Sequence, residues 1–274
     1  MELITTPQAA ELLGVTPSTV KRWAAEGRLP CLLTPGGHRR FRSGDIARFL
    51  KASGGRTDDL ALRLVEQLLH EPEPHALQAL LMTARGRLGS WWAVADLLGT
   101  VLEAIGRQWQ DGRCSVSQEH RASHCLEGSL SACLASLPAG DPERRCLLVA
   151  VEDDIHTLGL SLAELCVGEA GWTALWLGTP TPTSEFSDAV KLMRPEVVAV
   201  SASAWSSDIR VMESHYRRIA AACRPIGAQL ILGGRGAWPK KPAYGRRVDD
   251  FEAFSKALRR HRAAPHAARK RESE

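Results

Sequence analysis

The stretch Arg145-Cys146-Leu147-Leu148-Val149-Ala150-Val151-Glu152-Asp153-Asp154-Ile155-His156-Thr157-Leu158-Gly159 decides how this chain is read. Arg145 to Val151 is a short apolar run that suits a buried strand, and from Gly159 to Gly168 the pattern turns helical. A loop leaving the carboxyl end of a strand is where doubly wound sheets bind ligands. On that loop stands Asp154-x-His156-x-x-Gly159. A neutral imidazole is a good axial ligand for a transition metal, and its second nitrogen wants a carboxylate to fix the tautomer. Asp154 can supply that partner, and Gly159 lets a large planar ligand approach the backbone. Three residues in six are a weak pattern alone. Their place after a strand gives them weight.

Towards the C-terminus the same alternation continues. Trp172–Leu177, Val197–Val200 and Gln229–Leu232 are further short apolar runs, separated by helical stretches at Thr183–Met193 and Ser207–Cys223. A last helix is expected near Asp250–Arg260. Buried strands alternating with helices predict a parallel sheet covered on both faces, of the Rossmann-like or flavodoxin-like kind. Ser201 and Ser203 follow the third strand, and Gly233-Gly234 follow the fourth. Residues 261–274, rich in Ala, Arg and Lys, read as a disordered basic tail.

Towards the N-terminus, from Leu60 to about Leu137, the pattern is helical. Leu60, Leu64, Val65, Leu68 and Leu69 share one face before Pro72 and Pro74. Leu77 to Leu88, Trp92 to Trp109 and Ser117 to Leu137 give three more segments, so a small antiparallel four-helix bundle is predicted. Trp109 ends the third helix and Glu119-His120 opens the fourth, across a break at Asp111-Gly112. Taken alone, that tryptophan reads more readily as bundle core and the pair as a solvated helix start.

The first 56 residues differ in charge from the rest. They hold Lys21, Arg22, Arg28, Arg39, Arg40, Arg42, Arg48, Lys51 and Arg56 against Glu2, Glu11, Glu26 and Asp45, a larger excess than the net +4 of the whole chain. Such a local excess favours a polyanion. Two short helices meet at Gly14, the first capped by Thr6 ahead of Pro7 and the second by Thr16 ahead of Pro17. Leu32 to Phe41 reads as a strand-turn-strand wing, Ile46 to Lys51 as a third helix introduced by Ser43 and Asp45, and Ser53-Gly54-Gly55 as a linker. Ser18, Thr19, Lys21 and Arg22 on the second helix suit base edges and phosphates, and His38, Arg39 and Arg40 lie on the wing.

Bulk composition bounds the rest. At 274 residues the chain suits two or three domains, and 44% hydrophobic with 24% charged residues is the balance of a globular protein. No apolar run approaches the length needed to span a bilayer, and Met1 to Thr6 has no basic region ahead of an apolar core; a cytoplasmic protein with no membrane partner is expected. Seven cysteines without a CxxC pair predict neither a disulfide framework nor a zinc knuckle, but core packing.

Three resemblances follow from these motifs. Residues 36–41, Gly-Gly-His-Arg-Arg-Phe, resemble the wing of the MerR family of winged helix-turn-helix regulators. Asp154-x-His156-x-x-Gly159, Ser201-x-Ser203 and Gly233-Gly234 resemble the cobalamin-binding domain of methionine synthase and its relatives. That family usually has Leu or Thr where Ser203 stands. The resemblance implies that His156 is the lower axial ligand of cobalt, with the serine loop and paired glycines lining the slot for the displaced nucleotide tail. Trp109, with Glu119-His120 after nine intervening residues, resembles the B12-dependent photoreceptor regulators of the CarH and LitR type. There the three side chains shelter the upper adenosyl group. Those photoreceptors carry a histidine directly after the tryptophan, where this chain has Gln110.

The expected organisation is a multidomain α and α/β chain. Residues 1–55 form the DNA-binding head, 58–139 the bundle over the upper face of cobalamin, 143–260 the Rossmann-like domain and 261–274 the tail. The resemblance implies a regulator rather than an enzyme. It would bind double-stranded operator DNA as a homo-oligomer, dimer or tetramer, with adenosylcobalamin or methylcobalamin as cofactor. Light sensing, light-independent cobalamin sensing and, less favoured, a corrinoid carrier for methyl transfer are the three readings it leaves.

Overall fold

The structure is a computed structural model and describes residues 3–13, 17–25, 27, 29–34, 36–46, 57–178 and 181–262. The expected break at Gly14, the cap at Thr16, the linker at 53–55 and residues 263–274 lie outside them. The chain divides into two compact units, one of residues 1–80 with 97–126 and one of residues 81–96 with 127–274. The boundary expected near residue 140 therefore does not coincide with this division.

The first unit begins with strand β1 (Leu3–Thr5), helices α1 (Thr6–Leu13) and α2 (Pro17–Ala25), and strands β2 (Leu32–Leu33) and β3 (Arg39–Arg42). Helix α1 is capped by Thr5, not Thr6 as expected. The Gln8 side chain accepts from Thr5 N at 2.8 Å while Thr5 Oγ1 accepts from Gln8 N at 3.4 Å. A reciprocal capping box needs a Thr three residues before a Gln, which Thr5 satisfies and Thr6 does not. The wing pairs as an antiparallel hairpin, and β1 adds a third strand on the far side of β3, which the wing pattern did not announce. The third helix starts at Ser43, three residues before Ile46, and its expected continuation beyond 46 is outside the described residues. Ile4, Ala9, Ala10, Val20, Leu29, Phe41 and Ile46 close a small core.

Four helices follow: α3 (Thr57–Leu69), α4 (Pro74–Leu88), α5 (Trp91–Gln110) and α6 (Val116–Ala135). Leu60, Leu64 and Leu68 of α3 and Leu77, Leu81 and Ala84 of α4 are buried at helical spacing. In the second unit Glu169 ties in the helix ends, accepting from Trp91 N at 3.0 Å and pairing with Arg85 at 2.6 Å. None of the helices in the described residues is long and apolar enough to cross a membrane.

The second unit is built on a five-stranded sheet. Its strands are β4 (Asp141–Ala150), β5 (Trp172–Trp176), β6 (Val197–Ala202), β7 (Gln229–Gly234) and β8 (Arg246–Arg247), in the parallel order β5-β4-β6-β7-β8. Helices α7 (Leu158–Glu169), α8 (Thr183–Met193), α9 (Ile209–Cys223) and α10 (Phe251–Arg262) complete it. This is the flavodoxin-like order, with the switch point beside β4. Leu147, Val149, Val198, Val200, Leu230 and Leu232 pack one face against Phe186, Val190, Met212 and Ile219. Helix α10 runs to Arg262, and His261 Nε2 lies 3.0 Å from Glu196 Oε2, so His261 belongs to the fold and not to the tail. A histidine held by a carboxylate within a helix has no reason to be disordered. Six of the seven cysteines are buried and all are free.

Candidate functional site

The loop from β4 to α7 turns tightly after Val151. Asp154 N donates to Val151 O at 3.0 Å, and Asp153 takes a left-handed φ of 70°, a region that Asp tolerates better than most side chains. The turn puts Asp154 inside, its side chain 1% exposed, and leaves His156 half-exposed. Asp154 Oδ1 accepts from His156 N at 3.0 Å and lies 3.0 Å from His156 Nδ1. Its Oδ2 accepts from Ser203 N and from Ser206 Oγ, the latter at 2.9 Å. Burial alone would raise the Asp154 pKa, but hydrogen bonds from Ser203 N–H, His156 N–H and the Ser206 hydroxyl outweigh it and hold the carboxyl below its usual value.

An ionised carboxylate can only accept, so the ring proton sits on Nδ1 and the lone pair on Nε2. Among the described residues Nε2 has no hydrogen-bond partner. No three His, Cys, Asp or Glu side chains of the described residues gather as a metal cage. A single presented imidazole suits a metal that arrives already held in a macrocycle and needs one axial protein ligand; it does not suit a bare ion.

Strand register brings the other sequence motifs to the same edge. Ala150 of β4 pairs with Ser201 of β6, and Ser201 and Ala202 pair with Gly233 and Gly234 of β7. Ser201 O accepts from Val151 N at 2.9 Å. A Cβ placed on Gly159, at the start of α7, would meet Ser201 Oγ at 3.6 Å, so that hydroxyl lies against the glycine. Gly234 has φ of 79°, and a Cβ there would overlap the Ala202 carbonyl oxygen; only glycine fits. The buried Trp238 donates from Nε1 to Gly233 O at 2.8 Å and braces the turn.

Two residues of this edge escaped the sequence reading. Ser206 completes the shell of Asp154, and Trp205 lies parallel to His156, with ring centroids 6.4 Å apart and planes inclined by 6°. Trp205 is 76% exposed. The available signal was a tryptophan inside the small polar run Ser201-Ala202-Ser203-Ala204-Trp205-Ser206-Ser207, where no core position is expected.

The remaining candidates belong to the first unit. Trp109 is exposed near the end of α5, and its carbonyl accepts from Gly112 N at 3.0 Å in the turn. Ser115 and Gln118 form a capping box that starts α6, with Ser115 N to Gln118 Oε1 at 2.9 Å and Gln118 N to Ser115 Oγ at 3.2 Å. Glu119 accepts from Ser123 Oγ at 2.7 Å and lies 2.9 Å from His120 Nδ1. In the head, Lys21 is exposed and Arg22 partly so, while the side chains of Ser18 and Thr19 are outside the described residues. On the wing, Thr34 N donates to His38 O at 2.9 Å and His38 N to Thr34 Oγ1 at 3.1 Å, closing a loop that leaves His38 exposed and Arg39 and Arg40 half-buried.

Comparison with known proteins bears on both units. Residues 3–54 match the family described as a helix-turn-helix domain, and residues 46–134 match that described as a B12 binding domain. The second match falls on the helices that carry Trp109 and Glu119-His120. Two Myxococcus xanthus proteins are similar along most of the chain. The HTH-type transcriptional repressor CarH is 27% identical, covering 84% of this chain and 88% of its own. The HTH-type transcriptional repressor CarA is 26% identical, covering 83% and 85%. The monomethylamine corrinoid protein of Methanosarcina barkeri shares the fold, with a TM-score of 0.57 at 13% identity over 74% of this chain and 99% of that one. The head thus matches a helix-turn-helix domain and the helical segment after it a B12 binding domain, and the chain is similar along most of its length to two HTH-type transcriptional repressors.

Proposed function

We propose that this protein is a light-sensing repressor that binds operator DNA as an adenosylcobalamin-loaded oligomer and releases it on illumination. The observation that carries the cofactor half is the Asp154–His156 pair, which leaves Nε2 as a lone-pair donor at the ligand-binding edge of the sheet. His156 Nε2 would hold cobalt from below while Asp154 keeps the proton on Nδ1. Gly159, Ser201, Ser203, Gly233 and Gly234 would line the slot for the displaced nucleotide tail. By the resemblance to the photoreceptor regulators, Trp109, Glu119 and His120 would shelter the adenosyl group in the loaded protein. Bound adenosylcobalamin supplies a cobalt–carbon bond that light breaks.

On the DNA side, Ser18, Thr19, Lys21 and Arg22 would reach base edges and phosphates, with His38, Arg39 and Arg40 neutralising phosphates beside them. Ligand binding favours the assembling, DNA-competent form only by its differential affinity for it. Size-exclusion chromatography and operator gel shifts, with and without adenosylcobalamin, in the dark and after green light, test the proposal. Assembly and DNA affinity should be highest in the dark with cofactor. Equal mass and affinity in all four conditions would end it.

Gln110 favours a second reading. An amide is a poor cobalt ligand compared with imidazole. The upper histidine position of the photoreceptors is therefore not reproduced, and the protein would report cobalamin itself, methylcobalamin included, without light. Illuminated, loaded protein that keeps its assembly and its DNA affinity selects that reading.

A further inference from the structure

Trp205 is a largely exposed aromatic that belongs to none of the buried clusters. An isolated exposed tryptophan on a loose loop would carry no meaning, but this loop is tightly held. Asp154 Oδ2 binds Ser203 N and Ser206 Oγ on either side of Trp205. Trp205 N donates to Ser203 Oγ at 3.3 Å, Ser206 N to Ser203 O at 3.1 Å, Ser207 N to Trp205 O at 2.9 Å, and Ala237 N to Ser206 O at 2.9 Å. The carboxylate that orients the imidazole therefore also positions the indole. The two rings are parallel within 6° with centroids 6.4 Å apart, inside the range of offset aromatic stacking. Ile155, next to His156 in the chain, is 78% exposed as well. A free imidazole can turn about its χ2 bond. One hydrogen bond at Nδ1 tethers the ring, and a wall parallel to it removes the remaining rotation.

We propose that Trp205 is a positioning residue for the cobalt ligand: its indole stacks along the imidazole of His156 and holds the plane of that ring, so that Nε2 stays aimed when cobalamin enters. The inference rests on His156 being the lower ligand, and it assigns Trp205 an action through His156 rather than a contact with cobalt.

A double-mutant cycle on the full chain separates the two ideas. Kd for adenosylcobalamin is measured in the dark for the natural chain, Trp205→Ala, Trp205→Phe, His156→Ala and the double variant His156→Ala/Trp205→Ala. The absorption spectrum of each loaded protein is recorded to report the lower ligand. An aromatic stack of this kind is worth roughly a two- to tenfold change in Kd. Trp205→Ala should weaken binding by about that factor and shift the bands that report the axial nitrogen, while Trp205→Phe should restore both. On the His156→Ala background the same tryptophan change should have no further effect. A Trp205→Ala loss that persists undiminished without His156 overturns the proposal and makes the indole an independent contact. So does a Trp205→Ala protein with the natural Kd and spectrum. A His156→Ala protein that keeps the natural spectrum instead removes the ligand assignment itself. Because Trp205 is exposed, its replacement leaves the apo fold intact, which circular dichroism checks.

Discussion

Replacing Asp154 by alanine tests whether one buried carboxylate organises this edge of the sheet. It would remove an acceptor of four hydrogen bonds, from His156 N, His156 Nδ1, Ser203 N and Ser206 Oγ. Hydrogen bonds to a charged group are each worth about 1.5–3 kcal/mol, so the gross loss would be about 6–12 kcal/mol. Two effects reduce it. The half-exposed imidazole and the Ser206 hydroxyl can turn to water, and removing a buried charge recovers desolvation energy of several kcal/mol. What remains is the cost of stranding the backbone N–H groups of His156 and Ser203, about 3 kcal/mol together. Hydrogen exchange followed by mass spectrometry reads this locally, in peptides spanning 151–157 and 203–208. A loss of about 3 kcal/mol is a rise of about 100-fold in exchange there, with β7 and α10 unaffected. Asp154→Asn should fall between, because its carbonyl oxygen serves His156 while its amide faces the Ser203 N–H. Exchange in both peptides within threefold of the natural protein would refute the reasoning: the loop would then be held by something other than this carboxylate.

Three further outcomes are expected. Gly234→Ala, at a φ of 79° and against the Ala202 carbonyl, should destabilise the sheet unit by about 2 kcal/mol or more, seen as a fall in thermal midpoint of several degrees; an unchanged midpoint would contradict the geometry. In the native protein a thiol reagent should label Cys31 first, since the other six thiols are buried, and burial pushes Cys133 up to about 11 and Cys223 up to about 12 and raises Cys146 and Cys166 as well. Rapid labelling of two or more thiols before unfolding would contradict that burial. Arg40→Ala should weaken binding to all DNA sequences alike and reduce the salt slope by about one, as for a lost phosphate contact, whereas selective loss at one base pair would assign Arg40 to base readout.

Local pattern and local chemistry were legible without coordinates. The apolar runs at Arg145–Val151, Val197–Val200 and Gln229–Leu232 announced β4, β6 and β7, because a strand buried on both faces has no polar alternation to confuse it. The Leu60, Leu64 and Leu68 spacing announced α3 for the same kind of reason. Asp154, His156 and Gly159 could be paired on paper since they share one loop. Strand β1 and the two-residue β8 could not, because neither carries a period of its own; each exists by pairing with a partner distant in sequence.

The Ser203 and Ser206 bonds to Asp154, and the stacking of Trp205 on His156, depend on a parallel crossover that carries the chain through β5 and α8 before β6 returns beside β4. Nothing in the spacing of residues 154 and 205 encodes that approach. Thus the sequence by itself determined that His156 and Asp154 stand on one loop, near enough for the carboxylate to hold the ring proton, as this is a matter of covalent nearness and residue type. Only the tertiary structure decided which far loop closes around that pair, since the register of parallel strands sets which distant residues meet at one edge.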